Sequence, residues 1–386
     1  MNTRTWAGDL EIVIEDNPVF ETVKVKCYHS KEYTYRWRYT GVSEQSISFE
    51  RIFQTVQQNV QNNKWPSAVF GVTDKDHCLD IRSFGSYPNG ESVDSTSIYP
   101  IFSITKPMIG LCIMQLWEQG LLHPEQLIKD IIPEFHQHGK DKLRLWHLLT
   151  HTSGLDQSYA AAWGQGMGEP DGMNHPKLFA TLKDSHLQGT PGTAVSYNNM
   201  AFTILAEIIE RVSGESYDTY LKSHIFEPLG MKDTGFGGPE LDQNRLPRVA
   251  GAEAMGDRMD QAIAAKMPSG GLFSTADDLL RFARAMLNES RYEQDRRLIQ
   301  PLTFKQMITP QTLHLDEVDS DYGFVWKMPV RHKGYIERNI YGHNGMGGCM
   351  LWMYPEQEVA FVLMTGQLAP TVDNIHIHNV FASCFK

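Results

Sequence analysis

Residues Pro100–Gly110, "PIFSITKPMIG", set a serine and a lysine three positions apart at the mouth of an apolar run. From Met108 to Trp117 that run is apolar at nearly every position and too long for an ordinary strand. It predicts a helix buried on all sides. On a helix, positions i and i+3 share a face, so the Lys106 amine reaches the Ser103 hydroxyl. Two readings of the pair stand at this level. Ser103 is a helix cap beside an unrelated lysine, or a nucleophile with its base one turn away. A free lysine, with a pKa of about 10.4, cannot deprotonate a serine at neutral pH. Burial at a helix N-terminus lowers that value, and the backbone N–H there faces a developing oxyanion. A second serine–lysine pair, "SCFK" at Ser383–Lys386, ends the chain with no helix to sit on.

Outward from this stretch, the first forty residues read as β structure. In "EYTYRWRY", Tyr33, Tyr35, Trp37 and Tyr39 alternate with Thr34, Arg36 and Arg38, the pattern of a half-buried strand. That aromatic face suits a binding or dimer surface, or more simply a packing face on the main domain. Residues 43–62 read as a polar helix, and "SAVFGV" and "CLDIRSF" as a hairpin around "TDKDH". "MAFTILAEIIERVSG" is an amphipathic helix closed by Gly214, and "STADDLLRFARAML" a helix with a Thr275–Asp278 cap. The glycine-rich "WGQGMGEPDGMNH", Trp163–His175, is a loop; no strand precedes it, so it is not a phosphate cradle. "YGFVWKM", "GGCMLWMYP" and "VAFVLMTG" return the chain to strands.

Two further elements carry chemistry. "SYNNMAF" puts Tyr197 and Asn199, a phenol and a carboxamide, just before a helix. A tyrosine beside a lysine shuttles protons, and an asparagine amide holds both a lysine and a carbonyl. "GHNGMGG" places His343 and Gly345 at the mouth of a strand whose N–H groups suit an oxyanion. His343 would add a donor or modest positive charge. Each has a decoy, "YPN" at Tyr87–Asn89 and "HKG" at His332–Gly334, both reading as turns.

The three elements, in this order, resemble the serine β-lactamase and DD-peptidase superfamily, specifically its class C-like branch with related esterases and D-peptidases. "LRLWHLLTHTSGLD", "PGTAVSYNNMAFTILAEIIERVSGESYDTYLKSHIFEPLGMKDT" and "PSGGLFSTADDLLRFARAML" are similar to landmarks of that branch, and the resemblance runs from about Ala68 to Gly366. It implies that Ser103 is the acyl-accepting nucleophile and that Lys106 and Tyr197 share the base and acid roles. Asn199 would orient substrate and lysine, and the N–H groups of Ser103 and Met346 would form the oxyanion hole. His343 stands where β-lactamases have lysine, and Asn344 where they often have a hydroxyl residue. Those positions hold a substrate carboxylate, so the departure points away from penicillins and D-Ala–D-Ala, towards the esterase-like members.

The fold expected is α+β: an antiparallel sheet built from both ends of the chain, flanked by helices and packed on an all-α lobe, with an N-terminal β extension. Residues 1–45 would be the extension and 46–386 the catalytic domain, its α/β lobe at about 46–100 and 265–386 and its helical lobe at about 101–264. The activity expected is a serine hydrolase cleaving carboxylic esters or amides through a Ser103 acyl-enzyme, of esterase or D-amino-acid amidase or peptidase type. The alternatives are a biosynthetic transacylase, a β-lactamase or DD-peptidase, and last a non-catalytic binding protein.

Composition sets the remaining bounds. A formal charge of −11 argues against nucleic acid and anionic membrane as partners; the resemblance implies a small ester or amide substrate, with a homo-oligomer left open. The five scattered cysteines form no C-x-x-C pair. His147 and His151, spaced i, i+4, lack a following glutamate, and "HIH" at His376–His378, read on a strand, lacks a third ligand. No metal or cofactor is expected. "MNTRTWAGDLEIVIEDN" has no apolar core behind basic residues, so no signal peptide is read and a cytoplasmic protein is expected. G-x-S-x-G is absent, which removes the α/β-hydrolase nucleophile elbow.

Overall fold

The structure is a computed structural model. It describes residues 3–7, 10–17, 20–27, 32–38, 47–156, 175–237, 242–251, 266–316, 320–368 and 373–385. The glycine-rich stretch Trp163–Gly172 and Tyr39 lie outside the described residues.

The chain divides into two compact units, Met1–Ser48 with Lys386, and Phe49–Phe385. The first is an antiparallel meander of β1 (Thr3–Ala7), β2 (Leu10–Asn17), β3 (Phe20–Cys27) and β4 (Glu32–Arg38). The alternating aromatic stretch forms β4, in register with β3 through pairs such as Val23 with Tyr35.

In the second unit, the chain forms the helix Glu50–Gln61 and then β5 (Ser67–Thr73) and β6 (Cys78–Gly85). These two are the expected hairpin, its turn fixed by Asp74 Oδ1 accepting from the backbone N–H groups of Asp76 and His77. Short strands β7 (Tyr99–Pro100), β8 (Gly235–Phe236) and β9 (Leu272–Ser274) make a small separate sheet. β10 (Arg291–Glu293) and β11 (Arg296–Arg297) form a hairpin. The last strands are β12 (Asp321–Tyr322), β13 (Lys327–Met328), β14 (Tyr341–Asn344), β15 (Met350–Tyr354) and β16 (Val359–Thr365). They join the early hairpin in one seven-stranded antiparallel sheet of order β12-β13-β14-β15-β16-β5-β6. The two ends of the chain meet where β16 pairs β5, from Ala360 opposite Thr73 to Thr365 opposite Ala68.

The central strands are apolar at almost every position because both faces are covered. Successive side chains point to opposite faces, and the two cores sort accordingly. Val359, Phe361 and Leu363 join Met350, Trp352 and Tyr354 in a core under the helices Glu50–Gln61 and Asn374–Ala382. Ala360, Val362 and Met364 join Leu351 and Met353 in the other core, against the helices Ala276–Leu287 and Thr105–Glu118. Between β7 and β9 the chain forms the helices Thr105–Glu118, Leu145–Leu149, His175–Asp184, Met200–Ser213 and Tyr217–Leu221. Thr105 through Leu116 are all buried, the helix closed on every side that the apolar run predicts. Gly214 ends Met200–Ser213 in the left-handed region, at φ 77°, and Thr275 Oγ1 caps Ala276–Leu287 by accepting from Asp278 N–H.

Two local readings are corrected. "YGFVWKM" is two short strands, not one. Gly323 N–H bonds the Trp326 carbonyl, and the intervening turn is docked by Phe324 N–H on Met307 O and Val325 N–H on Leu149 O. Those partners are far off in sequence, so the apolar pattern carries no trace of them. "HIH" lies on the helix Asn374–Ala382, not on a strand, so His376 is exposed while His378 is buried against Tyr354 and Trp352. The second serine–lysine pair follows that helix, where Ser383 Oγ donates to the Val380 carbonyl and accepts from Arg51.

Val325 is a β-branched residue held at φ 65°, a conformation such side chains rarely adopt. It fills a notch at Gly110 in the buried helix, where an added Cβ would stand 2.4 Å from Val325 Cγ2. Helix propensity alone favours Gly110→Ala by about 1 kcal/mol, but overpacking costs about 1–3 kcal/mol. Crowding wins because the Val325 backbone is pinned. Gly110→Ala is expected to lower the melting temperature; an unchanged or raised value in thermal unfolding would show that the notch yields freely.

Candidate active site

Ser103 stands at a turn from strand to helix. β7 is anchored to β9, and just beyond it Ile101 N–H donates to the Leu272 carbonyl at 2.9 Å. Phe102 then turns the chain at φ 47°, a left-handed conformation that costs a non-glycine residue about 1–3 kcal/mol. Thr105 Oγ1 secures the turn by donating to the Phe102 carbonyl at 2.6 Å. A short 3-10 segment, Phe102–Ile104, leads directly into the buried helix. No side chain caps that helix, so the helix-cap reading of Ser103 has no hydrogen bond behind it.

One turn on, Lys106 is fully buried, with Nζ 2.9 Å from Ser103 Oγ and 2.6 Å from the Ser269 carbonyl oxygen. Its other neighbours are ring faces, Tyr197 at 4.8 Å and Phe202 at 5.2 Å. Burial, with no carboxylate among the described residues to offset it, holds Lys106 well below the usual lysine range. Tyr197 donates its O–H to Ser103 Oγ at 2.7 Å. Burial pushes that phenol above its ordinary range. One oxygen thus meets an amine driven towards neutrality and a phenol driven to keep its proton.

The carboxamide that anchors this region is Asn198, one position before the expected residue. Its Oδ1 accepts from Met200 and Ala201 N–H, and its Nδ2 donates to the Leu155 carbonyl. Among the described residues the Asn199 carboxamide has no hydrogen-bond partner, and Lys106 bonds Ser103 and Ser269 rather than Asn199.

β14 brings His343 alongside, its ring 6.0 Å from that of Tyr197. Its Nδ1 lies 2.8 Å from the Asn344 carbonyl. A carbonyl only accepts, so Nδ1 carries the proton and Nε2 a lone pair. Burial, then the Lys106 charge, pushes its pKa down to about 3. A positive charge is disfavoured there: burial holds the ring neutral, and Nε2 is itself buried without a hydrogen-bond partner among the described residues. Asn344 is occupied, its Oδ1 accepting from Trp352 Nε1 at 2.6 Å. Gly345 passes so close to the serine turn that a Cβ would meet Ile101 O at 2.6 Å. Met346 follows with its side chain exposed.

His147 and His151 share no face. The helix stops at Leu149, and His151 is left-handed at φ 59°. Each Nδ1 accepts a backbone N–H, from Arg144 and from Asn198. The sequence offered His151 only as a metal ligand beside His147 and gave no sign of Asn198 or Ser269; all three act through backbone groups or cap geometry that residue types alone do not reveal.

The sequence matches the beta-lactamase family over residues 52–382, wider than the Ala68–Gly366 span of the resemblance. The chain belongs to the beta-lactamase family. It is 27% identical over 309 residues to the D-alanyl-D-alanine-carboxypeptidase/endopeptidase AmpH of Escherichia coli, spanning 74% of this chain and 76% of that protein. The solved structure of a penicillin-binding protein homolog from Caulobacter crescentus superposes with a TM-score of 0.72 at 21% identity, covering 89% of this chain and 99% of that one. EstCE1, a hydrolase with promiscuous acyltransferase activity, gives 0.71 at 18% identity over 87% and 98%. This beta-lactamase family chain is an α+β serine hydrolase. None of its helices is long and apolar enough to cross a membrane, among the described residues.

The close pass of Gly345 generates a test. Gly345→Ala must move either the mouth of β14 or the turn bearing Ser103. Ester turnover is expected to fall at least about tenfold and stability by about 1–3 kcal/mol. Wild-type values for both would mean the two segments are not fixed against each other.

Proposed function

We propose that this protein cleaves carboxylic esters or amides through an acyl-enzyme on Ser103. The observation that carries the reading is the placement of Lys106 Nζ and Tyr197 Oη at 2.9 and 2.7 Å from one serine oxygen, both deeply buried. With Lys106 as the neutral amine, its lone pair takes the Ser103 proton while Oγ attacks the carbonyl carbon. Backbone N–H groups of Ser103 and Met346 receive the oxyanion. The bond to the leaving atom then breaks as Tyr197 gives that atom its O–H proton, and the proton held by Lys106 restores the phenol. Water reverses the sequence and frees Ser103. The division of roles is therefore Lys106 as base and Tyr197 as proton donor, with the unpartnered Asn199 carboxamide turned to substrate.

The substrate class follows from His343. A neutral ring with its Nε2 buried offers a carboxylate no positive charge, and the Asn344 side-chain oxygen is already held by Trp352. An ester or D-amino-acid amide without a carboxylate at that end fits better than a penicillin or a D-Ala–D-Ala peptide. The likeness to EstCE1 favours a second outcome of the same acyl-enzyme, transfer to an alcohol or amine in place of water.

The first test labels the protein and Ser103→Ala with a fluorophosphonate and a short-chain activated ester, read by intact mass. One adduct on the wild type alone, with ester turnover, is expected. Absence of any adduct sinks the proposal. Added alcohols that capture the acyl group faster than water would move the assignment to transacylase.

The pH profile tests the division of roles. Activity requires unprotonated Lys106, so kcat/KM is expected to rise with pH through its lowered pKa. It should then stay level to about pH 10, the ordinary phenol value, because Tyr197 keeps its proton beyond that range. Lys106→Arg, which cannot lose its proton, is expected to be inactive. A falling limb well below pH 10 would instead point to Tyr197 as the group that must stay protonated at an unshifted pKa.

A further inference from the structure

His151 surrounds Tyr197 on the chain. Its carbonyl accepts the N–H of Ser196 at 2.8 Å, the residue before the tyrosine. Its Nδ1 accepts the N–H of Asn198 at 3.0 Å, the residue after it. Its ring lies against the phenol ring, centroids 4.5 Å apart and tilted by 34°. Three contacts from one residue thus fix the backbone on both sides of Tyr197 and the plane of its ring.

The histidine is itself held in an unusual conformation. It follows the helix Leu145–Leu149 at φ 59°, which non-glycine residues seldom adopt and which sets its carbonyl and ring on the same target. Phe202 and Tyr322 wall the ring at 5.7 and 4.8 Å. An imidazole whose Nδ1 accepts an N–H carries its one proton on Nε2, so only the neutral ring makes the bond to Asn198. Burial, then Lys106 and His343, holds it neutral.

We infer that His151 is a positioning residue for Tyr197, a neutral imidazole and backbone clamp that aims the phenol at Ser103. The inference rests on the proposed acyl-enzyme, and it assigns a role to a residue outside the serine–lysine–tyrosine set. His151 touches neither substrate nor Ser103; it acts through the place it gives Tyr197.

The test crosses His151→Gly and His151→Asn with Tyr197→Phe. Glycine keeps the left-handed backbone and removes both ring and acceptor. Asparagine keeps the backbone, tolerates φ above zero and returns an acceptor oxygen without the ring. The readouts are the rate of Ser103 labelling by a fluorophosphonate, kcat and KM on an ester, and the melting temperature. Proton shuttling of this kind is worth about 10²–10⁴-fold, so His151→Gly is expected to slow labelling and kcat about 30-fold, with KM unchanged. His151→Asn should stay within about 5-fold of wild type by the same measure. In the Tyr197→Phe background neither change should slow the enzyme further, because the group being aimed is gone.

Equal losses in both backgrounds, or His151→Gly labelling at the wild-type rate, would overturn the assignment. If the glycine variant melts below the assay temperature, the asparagine variant decides: its few-fold loss must vanish beside Tyr197→Phe. A wild type that takes no label overturns the acyl-enzyme reading and this one together; a labelled wild type indifferent to His151 overturns this one alone.

Discussion

The arrangement depends on a lysine taken out of water with no carboxylate beside it among the described residues. Lys106 is enclosed by the Ser269 carbonyl, the Ser103 hydroxyl and two aromatic faces. A carboxylate in that shell would hold the ammonium charged and stabilise the fold, while removing the lone pair that takes a proton from serine. Leaving the amine uncompensated does the opposite. Between its folded pKa and the unfolded value, the unfolded chain binds the extra proton, so stability from this group rises with pH through that window. At neutral pH the burial is a cost, and the surrounding packing must offset it. The long apolar helix does so, with Thr105 through Leu116 closed off between the two halves of the unit.

The sheet supports the site from its far side. Trp352, on β15, lies so close over Gly342 that a Cβ there would meet its indole at 2.4 Å, and its Nε1 holds Asn344. The strand carrying His343 is therefore pinned at both neighbours of that histidine. His378 stands edge-on to Trp352 at 4.5 Å and bonds Tyr354. The "HIH" stretch thus contributes through packing on the aromatic core, and its middle residue, Ile377, is part of that core.

Legibility followed the range of the interaction. The Ser103–Lys106 pairing is local, three residues apart across the 3-10 segment and the helix start. Its spacing shows that the two can meet, but not that the serine is a nucleophile rather than a cap. Tyr197, 94 residues away, is legible only because "SYNNMAF" comes in the right order after "SITK" and before "GHNG". The strands of the two cores were readable from continuous apolar runs, since each run had to be buried on both sides. The break inside "YGFVWKM" was hidden because backbone bonds to Met307 and Leu149 impose it. The charge of His343 was hidden for a related reason: the letter gives an imidazole, but only its burial and its bond to Asn344 bear on its charge and tautomer. Asn198 and Asn199 are the same residue type, and only the helix geometry says which one caps.

In the proposed mechanism, His343 also limits which substrates are accepted. There Ser103, Lys106 and Tyr197 form a unit that attacks an activated carbonyl, and nothing in that unit recognises what surrounds the carbonyl. Recognition falls to the strand facing it, and there a lysine would offer three donors and a fixed charge. His343 offers none of these, because its one proton is committed to the Asn344 carbonyl and its Nε2 is buried. Reversing that choice needs either a second proton, opposed by burial and by Lys106, or a tautomer that gives up the backbone bond. Both are uphill. On the proposed reading, a neutral His343 would disfavour anionic substrates by withholding charge, while leaving the chemistry at Ser103 intact.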